Sequence, residues 1–112
     1  MKQYFVYIVS NYTKTTIYIG VTNDLCQRVL EHYINRGKSK TFAGRNNCFY
    51  LIYYEIFENV QDAIDREKEI KRWRRAKKDE LIASENPKWN FLNDEIFEVW
   101  PPSKDEQSSR TD

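Results

Sequence analysis

Histidine, cysteine and long apolar runs are all scarce in this sequence of 112 residues. His32 is the only histidine, so any role it has cannot involve a pair of histidines. Cys26 and Cys48 lie far apart and have no second cysteine or histidine at ligand spacing, which argues against a zinc site. We therefore expect two reduced, buried thiols and no disulfide.

Segments that would cross a membrane are also missing. No run of about 18 or more apolar residues is present, so no membrane-spanning helix is predicted. The N-terminus lacks a basic start, an apolar core and a small-residue cleavage site, so no secretory signal is predicted. We expect a cytoplasmic protein.

Charge is balanced overall, with 18 basic and 17 acidic residues, but it is divided along the chain. Residues 94–112 have two basic and six acidic residues, a net charge of −4, and residues 1–93 have a net charge of +5. We predict one domain over 1–93 and an acidic C-terminal extension over 94–112, disordered from about residue 101 because nothing there can be buried. A basic body favours polyanions through phosphate contacts and counterion release.

Three stretches have the β-branched and aromatic composition that is typical of buried strands, namely residues 4–9, 16–21 and 48–57. The polar residues 11–14 between the first two are turn material. A loop of this length pairs Ser10 with Thr15 and, by the same count, Tyr7 with Tyr18. The two phenols are then neighbours on one face of the sheet.

Helices are predicted from an N-cap at Thr22 or Asn23 to about Ile34, and over residues 60–73 and 75–84. Because only three strands are available, helices must cover the sheet. The predicted fold class is α+β, with a small three-stranded antiparallel β-sheet flanked by helices.

Two irregular segments complete the prediction. Residues 37–47 are polar and basic, which is typical of a mobile surface loop. Asn86 and Pro87 end the third helix, and residues 88–92 can return along the body and lay Trp89 on the core.

One acidic residue interrupts the apolar face of the second helix. On an ideal helix Glu67 lies about 40° from Ala63, inside an arc that Val60, Ile64 and Ile70 also occupy. Burying an unpaired carboxylate costs several kcal/mol, so Glu67 needs a partner.

These motifs together resemble the GIY-YIG nuclease superfamily, especially its small stand-alone bacterial members, which resemble the N-terminal catalytic module of the excinuclease C subunit. Tyr18, Ile19 and Gly20 match the YIG motif, whereas only Tyr7 is preserved where the family has GIY. The resemblance covers about residues 4–92. Five elements occur in the family's order, which makes it far more specific than a lone tripeptide.

The resemblance implies an endonuclease that hydrolyses phosphodiester bonds with one divalent metal ion, Mg²⁺ or Mn²⁺. It implies nucleic acid as the partner, DNA before RNA. The implied catalytic residues are Tyr7, Tyr18, Arg28, His32 and Glu67, and the family also uses an asparagine near the end of the domain, for which Asn86 and Asn90 both remain candidates.

Each implied role has a structural alternative. Glu67 would hold the metal, or it would form an ion pair with Lys71 four residues later. Arg28 would bind the scissile phosphate, or it would be a solvated helix residue. The two tyrosines would position or deprotonate water, which for a phenol of ordinary pKa about 10 requires a nearby cation, or they would only pack. His32 would relay a proton, or it would be a packing residue.

Basic residues on the second and third helices and on the loop 37–47 are expected to hold the nucleic-acid backbone without reading its sequence. They are Lys38, Lys40, Arg45, Lys71, Arg72, Arg74, Arg75, Lys77 and Lys78. A solvated helix face is the alternative. The same features also suit a non-catalytic nucleic-acid-binding module and, with less support, a protein-interaction domain. Oligomeric state is not predicted.

Overall fold

Three strands and five helices make up the computed structural model, which describes residues 2–102. The elements are β1 (Tyr4–Ser10), β2 (Ile17–Thr22), α1 (Leu25–Ile34), α2 (Phe42–Arg45), β3 (Tyr50–Phe57), α3 (Val60–Arg72), α4 (Arg75–Glu85) and α5 (Asn93–Ile96). The sheet order is β2-β1-β3, and β1 is antiparallel to both neighbours. The predicted α+β class, with three antiparallel strands flanked by helices, is confirmed.

The central strand β1 is apolar on both faces because helices cover both. Val6 and Ile8 lie under α3 and α4, with Ile52 of β3 beside them. Tyr7 and Val9 face the opposite side, where α1, α2 and α5 pack. The near-continuous apolar run in β1 is thus explained by burial on both faces of the sheet rather than on one.

The predicted pairing of Tyr7 with Tyr18 is wrong by two residues. Tyr7 lies opposite Gly20, and Tyr18 lies opposite Val9. The loop is longer than predicted because the Asn11 side-chain oxygen accepts the N–H groups of residues 15 and 16 and so holds a wider turn. Lys14 in this turn has φ 64°. Because side chains alternate with period two, a shift of two residues leaves both phenols on the same face.

The N-cap of helix α1 lies one residue beyond Asn23, the later of the two expected positions. Its N-cap is Asp24, whose carboxylate accepts the N–H of Gln27 at 3.0 Å. The Thr22 hydroxyl accepts the N–H of Asp24, which sets the extended backbone that precedes the helix. The helix ends at Ile34, before Arg36 and Gly37, as predicted.

The expected mobile loop over residues 37–47 contains the short helix α2. Thr41 caps this helix, and Ala43 and Gly44 are buried. A Cβ at Gly44 would lie 2.6 Å from the carbonyl oxygen of Lys38, so the segment folds closely on itself. Composition did not indicate this because the turn rests on capping and a glycine contact rather than on an apolar stripe.

The predicted inward face of the basic helices is only partly right. Ala63 and Ile70 of α3 are buried, whereas Val60 is 45% exposed. Trp73 is the C-cap of α3, so the periodicity of this helix stops there, and Ala76 at the start of α4 is exposed. Trp89 packs on the core, as predicted.

The chain beyond α4 is held to β3 by a buried asparagine. Asn93 accepts the N–H of Leu51 and donates to the carbonyl of Phe49. Trp100 packs on the same face, and Pro102 is buried. The boundary between a basic domain and an acidic extension stays a prediction. Of the disorder expected from about residue 101, the part over residues 103–112 lies outside the described residues.

The two cysteines differ in their exposure. Cys48 is buried as expected, whereas Cys26 is half-buried and donates to the carbonyl of Ile96. No helix within residues 2–102 is long and apolar enough to cross a membrane.

Candidate active site

A buried phenol and an imidazole form the centre of the candidate site. The Tyr7 hydroxyl lies 2.8 Å from His32 Nε2, and only 1% of the tyrosine is exposed. Its ring crosses directly over its strand partner, Gly20, where a Cβ would lie 2.4 Å from the Tyr7 hydroxyl oxygen. The last residue of the YIG motif is therefore a glycine because Tyr7 occupies the space of a side chain.

Tyr18 is the second phenol of the cluster and lies nearer the surface. Its ring centroid is 6.4 Å from that of Tyr7 and 5.4 Å from that of His32. Both tyrosines point toward α1, and His32 completes a group of three rings. Because Tyr18 and His32 are only half-buried, they are the members that a substrate can reach.

Burial dominates the protonation of this cluster. Desolvation raises the pKa of Tyr7 well above its ordinary range, with a smaller contribution from Tyr18, and the opposing effect of Arg28 does not cancel them. Desolvation, helped by Arg28, lowers the pKa of His32 to about 4. At neutral pH the structure therefore favours a protonated phenol beside a neutral imidazole.

Arg28 lies on α1 one turn before His32. Its side chain is 46% exposed, and its Nε lies 3.6 Å from a Glu31 carboxylate oxygen. Its charge influences the pKa of both Tyr7 and His32, so the guanidinium is within electrostatic reach of the ring cluster. A partly exposed, planar fork of donors at this position can bind a phosphate.

Glu67 approaches from the other face of the sheet, on α3. Its side chain is 15% exposed, and its Oε2 lies 3.2 Å from Lys71 Nζ, so the alternative ion pair is present. The same ammonium lies 5.8 Å from the centroid of the Tyr18 ring. Glu67 also contributes to the raised pKa of Tyr7, which places its carboxylate within electrostatic reach of the cluster.

A metal ion would find a limited set of protein ligands here. Across residues 2–102, no three side chains among His, Cys, Asp and Glu are grouped closely enough to hold a metal. One carboxylate is nevertheless sufficient for Mg²⁺ or Mn²⁺, since such hard ions keep several waters and take further oxygens from substrate phosphates. Glu67 fits this mode, provided that Lys71 gives up part of its contact.

The two candidate asparagines lie elsewhere. Asn86 is buried, and its side-chain amide donates to the carbonyl groups of Ile52 and Asn90 and accepts the N–H of Asn90. These contacts hold the end of α4 against β3, whereas Tyr18 lies on β2, the opposite edge of the sheet. The structure therefore gives Asn86 a structural role, and it does not bring either asparagine to the ring cluster.

The nine basic residues predicted to bind nucleic acid differ in what they contact. Arg75 is engaged within the fold, donating to the carbonyls of Lys14 and Thr15 and to Asp79. Lys77 lies 4.3 Å from the Trp73 ring centroid, and Lys78 is half-buried. The remaining exposed members are Lys38, Lys40, Arg45, Lys71, Arg72 and Arg74.

Sequence reasoning missed two features of the site. Gly20 was recognised as part of a motif but not as the floor beneath Tyr7, which the correct hairpin register would have revealed. The second is the contact of Lys71 Nζ with the Tyr18 ring. The spacing of four residues indicated the ion pair of Lys71 with Glu67, which is present, but not this contact across to β2.

The sequence matches one domain family over most of its length. Residues 3–80 match the family model described as the GIY-YIG catalytic domain, so the chain belongs to that family. Among individual proteins, it is similar to the UPF0213 proteins of two Staphylococcus aureus strains, Mu3 and N315. Each is 37% identical over 82 residues, which span 73% of this chain and 96% of the relative.

A solved structure shares the fold. The solution NMR structure of the UPF0213 protein BH0048 from Bacillus halodurans is 25% identical, with a TM-score of 0.51. The match covers 78% of this chain and 89% of that protein. The resemblance stated from the sequence, to a small stand-alone member of this superfamily, is thus confirmed.

Proposed function

We propose that this protein is a metal-dependent endonuclease that hydrolyses phosphodiester bonds in nucleic acid, with DNA as the expected substrate. The observation that carries the proposal is the 2.8 Å hydrogen bond between Tyr7 and His32 beneath the more accessible Tyr18. Membership of the GIY-YIG catalytic domain family, whose members are generally nucleases, supports it. The proposal places the activity in the cytoplasm.

The charged residues would hold the reacting phosphate. The exposed guanidinium of Arg28 would bind its oxygens, with Glu31 limiting the rotation of the side chain. Glu67 would supply the carboxylate that holds one Mg²⁺ or Mn²⁺, and the bound ion would supply Lewis-acid stabilisation of the developing charge. Lys71 would turn from Glu67 toward the substrate as the negative charge of a phosphate enters.

The ring cluster would handle protons. Tyr7 is too deeply buried to meet the attacking water, so it would act through His32 by fixing the orientation and tautomer of the imidazole. For Nδ1 to accept a proton from the reaction, Nε2 would carry the ring hydrogen and donate it to the Tyr7 oxygen, which leaves the lone pair of Nδ1 free. The pKa of His32, lowered to about 4, keeps the imidazole in this neutral form at neutral pH. Tyr18 would orient the water.

A nuclease assay tests the proposal. Purified protein is incubated with plasmid, branched and single-stranded DNA in Mg²⁺ or Mn²⁺, beside Glu67→Ala and Arg28→Ala. We expect cleavage by the wild type, a fall of at least about 100-fold in either variant, and loss with a chelator. Glu80→Ala, which removes an exposed acid from α4, should cleave normally. Equal cleavage by all four proteins would show that a contaminant is responsible.

A second candidate is a non-catalytic nucleic-acid-binding module on the same scaffold. The observation that favours it is the ion pair between Glu67 and Lys71, which neutralises the carboxylate that a metal would need. This candidate predicts binding that weakens as salt rises, with no cleavage of any substrate in either metal. Binding without salt dependence would exclude it.

A further inference from the structure

A continuous group of aromatic rings, which the proposed chemistry does not use, covers the end of the body near the β1–β2 loop. We call it the aromatic strip, and its members are Tyr12, Tyr33, Phe49, Tyr50, Phe91 and Trp100. Tyr50 and Phe91 are stacked with centroids 4.2 Å apart, and Tyr33 meets Trp100 at 5.0 Å. Tyr12 is 72% exposed. Rings that only built the core would not continue to the surface in this way.

The aromatic strip contains a small cavity. A space of about 180 Å³ is lined by Tyr50, Phe91, Asn93, Asp94 and Trp100. Pockets for drug-sized ligands measure about 300–1,000 Å³, so this cavity suits one planar ring system rather than a larger molecule. Its polar lining is also selective. The Asn93 amide is used by β3, which leaves the exposed carboxylate of Asp94 as an acceptor.

Two cations lie against the aromatic strip. Lys14 Nζ is 5.1 Å from the centroid of Phe91, and the Arg36 guanidinium is 3.8 Å from that of Tyr33. Rings flanked by cations match the two parts of a nucleotide, since bases stack on aromatic side chains and phosphates pair with Lys and Arg.

We propose that the cavity binds one unpaired nucleobase of single-stranded nucleic acid, stacked between Trp100 and the Tyr50–Phe91 pair, with neighbouring phosphates on Lys14 and Arg36. The Asp94 carboxylate accepts a hydrogen bond from the base, which favours bases with an exocyclic amino group over thymine. This inference rests on the proposed function and sharpens it. It makes the substrate a nucleic acid with an unpaired segment beside the bond to be cleaved.

The position of the aromatic strip allows one strand to reach both sites. Tyr33 follows the active-site residue His32 on α1. Along β1, Ser10 lies about 10 Å from Tyr7 at the usual rise of a strand, and the loop that carries Tyr12 begins directly after it. A strand leaving the ring cluster in this direction would meet the cavity within a short distance.

The test measures binding rather than cleavage. Fluorescence anisotropy with labelled oligo(dC) and oligo(dT) is recorded on Glu67→Gln protein, in which cleavage is blocked. We expect tighter binding of oligo(dC), about tenfold weaker binding of it after Trp100→Ala, and loss of the preference after Asp94→Ala. Val60→Ala, which truncates an exposed apolar side chain at the start of α3, should leave binding unchanged.

Misfolding of a variant and failure of the nuclease proposal can each be told apart from failure of this inference. Circular dichroism and thermal melting establish that each variant is folded, and if Trp100→Ala is not, the base preference of Asp94→Ala decides. If folded Trp100→Ala binds oligo(dC) as tightly as the protein with Trp100 does, the inference is overturned, even if the wild type cleaves DNA. That result is expected if this surface docks a protein instead. Binding that depends on Trp100 supports the cavity even if no substrate is ever cleaved.

Discussion

Two buried tyrosines on neighbouring strands show how the same side chain serves different ends. Tyr7 is 1% exposed and Tyr53 is 5% exposed, and desolvation is the largest cause of a raised pKa at both. They lie on opposite faces of the sheet, one beneath α1 and the other beneath α3 and α4. Their hydroxyl groups differ in the partner that each one has.

The Tyr53 region is an ionic lock. Its hydroxyl donates to Glu55, and Arg66 donates to both oxygens of that carboxylate at 3.0 Å from Nε and 3.0 Å from Nη2. A further bond of 2.7 Å joins Arg66 to Glu69, and these carboxylates raise the pKa of the guanidinium. These bonds tie β3, which carries Tyr53 and Glu55, to Arg66 and Glu69 on α3.

The Tyr7 region ends instead in a titratable base. His32 is half-buried, and desolvation together with the charge of Arg28 lowers its pKa to about 4. Burial alone thus does not distinguish the two tyrosines. They differ in the partner of the hydroxyl group, which is an imidazole for Tyr7 and an ion-paired carboxylate for Tyr53.

Exchanging each tyrosine for phenylalanine should give the largest contrast. Tyr7→Phe removes the group that orients His32, so we expect cleavage to fall about 100-fold. Tyr53→Phe should leave the cleavage rate unchanged and lower the free energy of unfolding by about 1 kcal/mol. Single-turnover rates and urea unfolding measure the two quantities. A similar loss of rate in both variants would remove the distinction between the regions.

Filling the space above Gly20 should disturb only the Tyr7 region. In Gly20→Ala the new Cβ meets the end of the Tyr7 ring, which its bond to His32 holds in place. We expect a loss of about 2–3 kcal/mol in the free energy of unfolding, together with slower cleavage.

Gly37→Ala is the matched control, because no atom lies within 4 Å of its new Cβ although φ is +78°. Gly37→Ala should lower the free energy of unfolding by about 1 kcal/mol and leave the cleavage rate unchanged. A tolerated Gly20→Ala would show that the Tyr7 ring moves freely.

Breaking the ionic lock should affect stability alone. Glu55→Ala leaves the Tyr53 hydroxyl and two Arg66 donors without their carboxylate, and we expect a loss of about 2 kcal/mol. Glu58→Ala, an exposed neighbour just beyond β3, should change stability by less than about 0.5 kcal/mol. Both proteins should cleave like the wild type. Loss of activity at full stability in Glu55→Ala would make this region part of the site.

Much of this contrast could not be predicted from sequence. The strands and long helices were predictable because apolar periodicity reports burial directly, and the order of tyrosine, arginine, histidine and glutamate carried the family resemblance. The hairpin register could not be predicted, because Asn11 widens the loop through side-chain hydrogen bonds that composition does not encode. Capping by Thr41 likewise created α2 within an apparent loop.

The electrostatic details were equally beyond the sequence. A phenol beside a cation suggested an easier deprotonation of Tyr7, yet burial outweighs Arg28 and reverses the direction of the pKa change. Desolvation depends on which elements cover a side chain, and that is settled only when both faces of the sheet are packed. The position of Glu67 on an ideal helix predicted that its carboxylate needs a partner, but it did not indicate whether the partner is a metal ion or Lys71.

The smallest expected effect concerns pH and the imidazole. The pKa of His32 is about 4 in the folded protein and about 6.5 when unfolded, so between these values the unfolded chain binds more protons. Stability should therefore fall as pH drops through this window, by on the order of 1 kcal/mol at pH 5.5 compared with pH 7.5. His32→Gln cannot titrate, so urea unfolding of this variant should lose less stability over the same interval. Equal losses in the two proteins would mean that His32 takes up a proton while folded, and the neutral base proposed beneath Tyr18 would then be lost in mild acid.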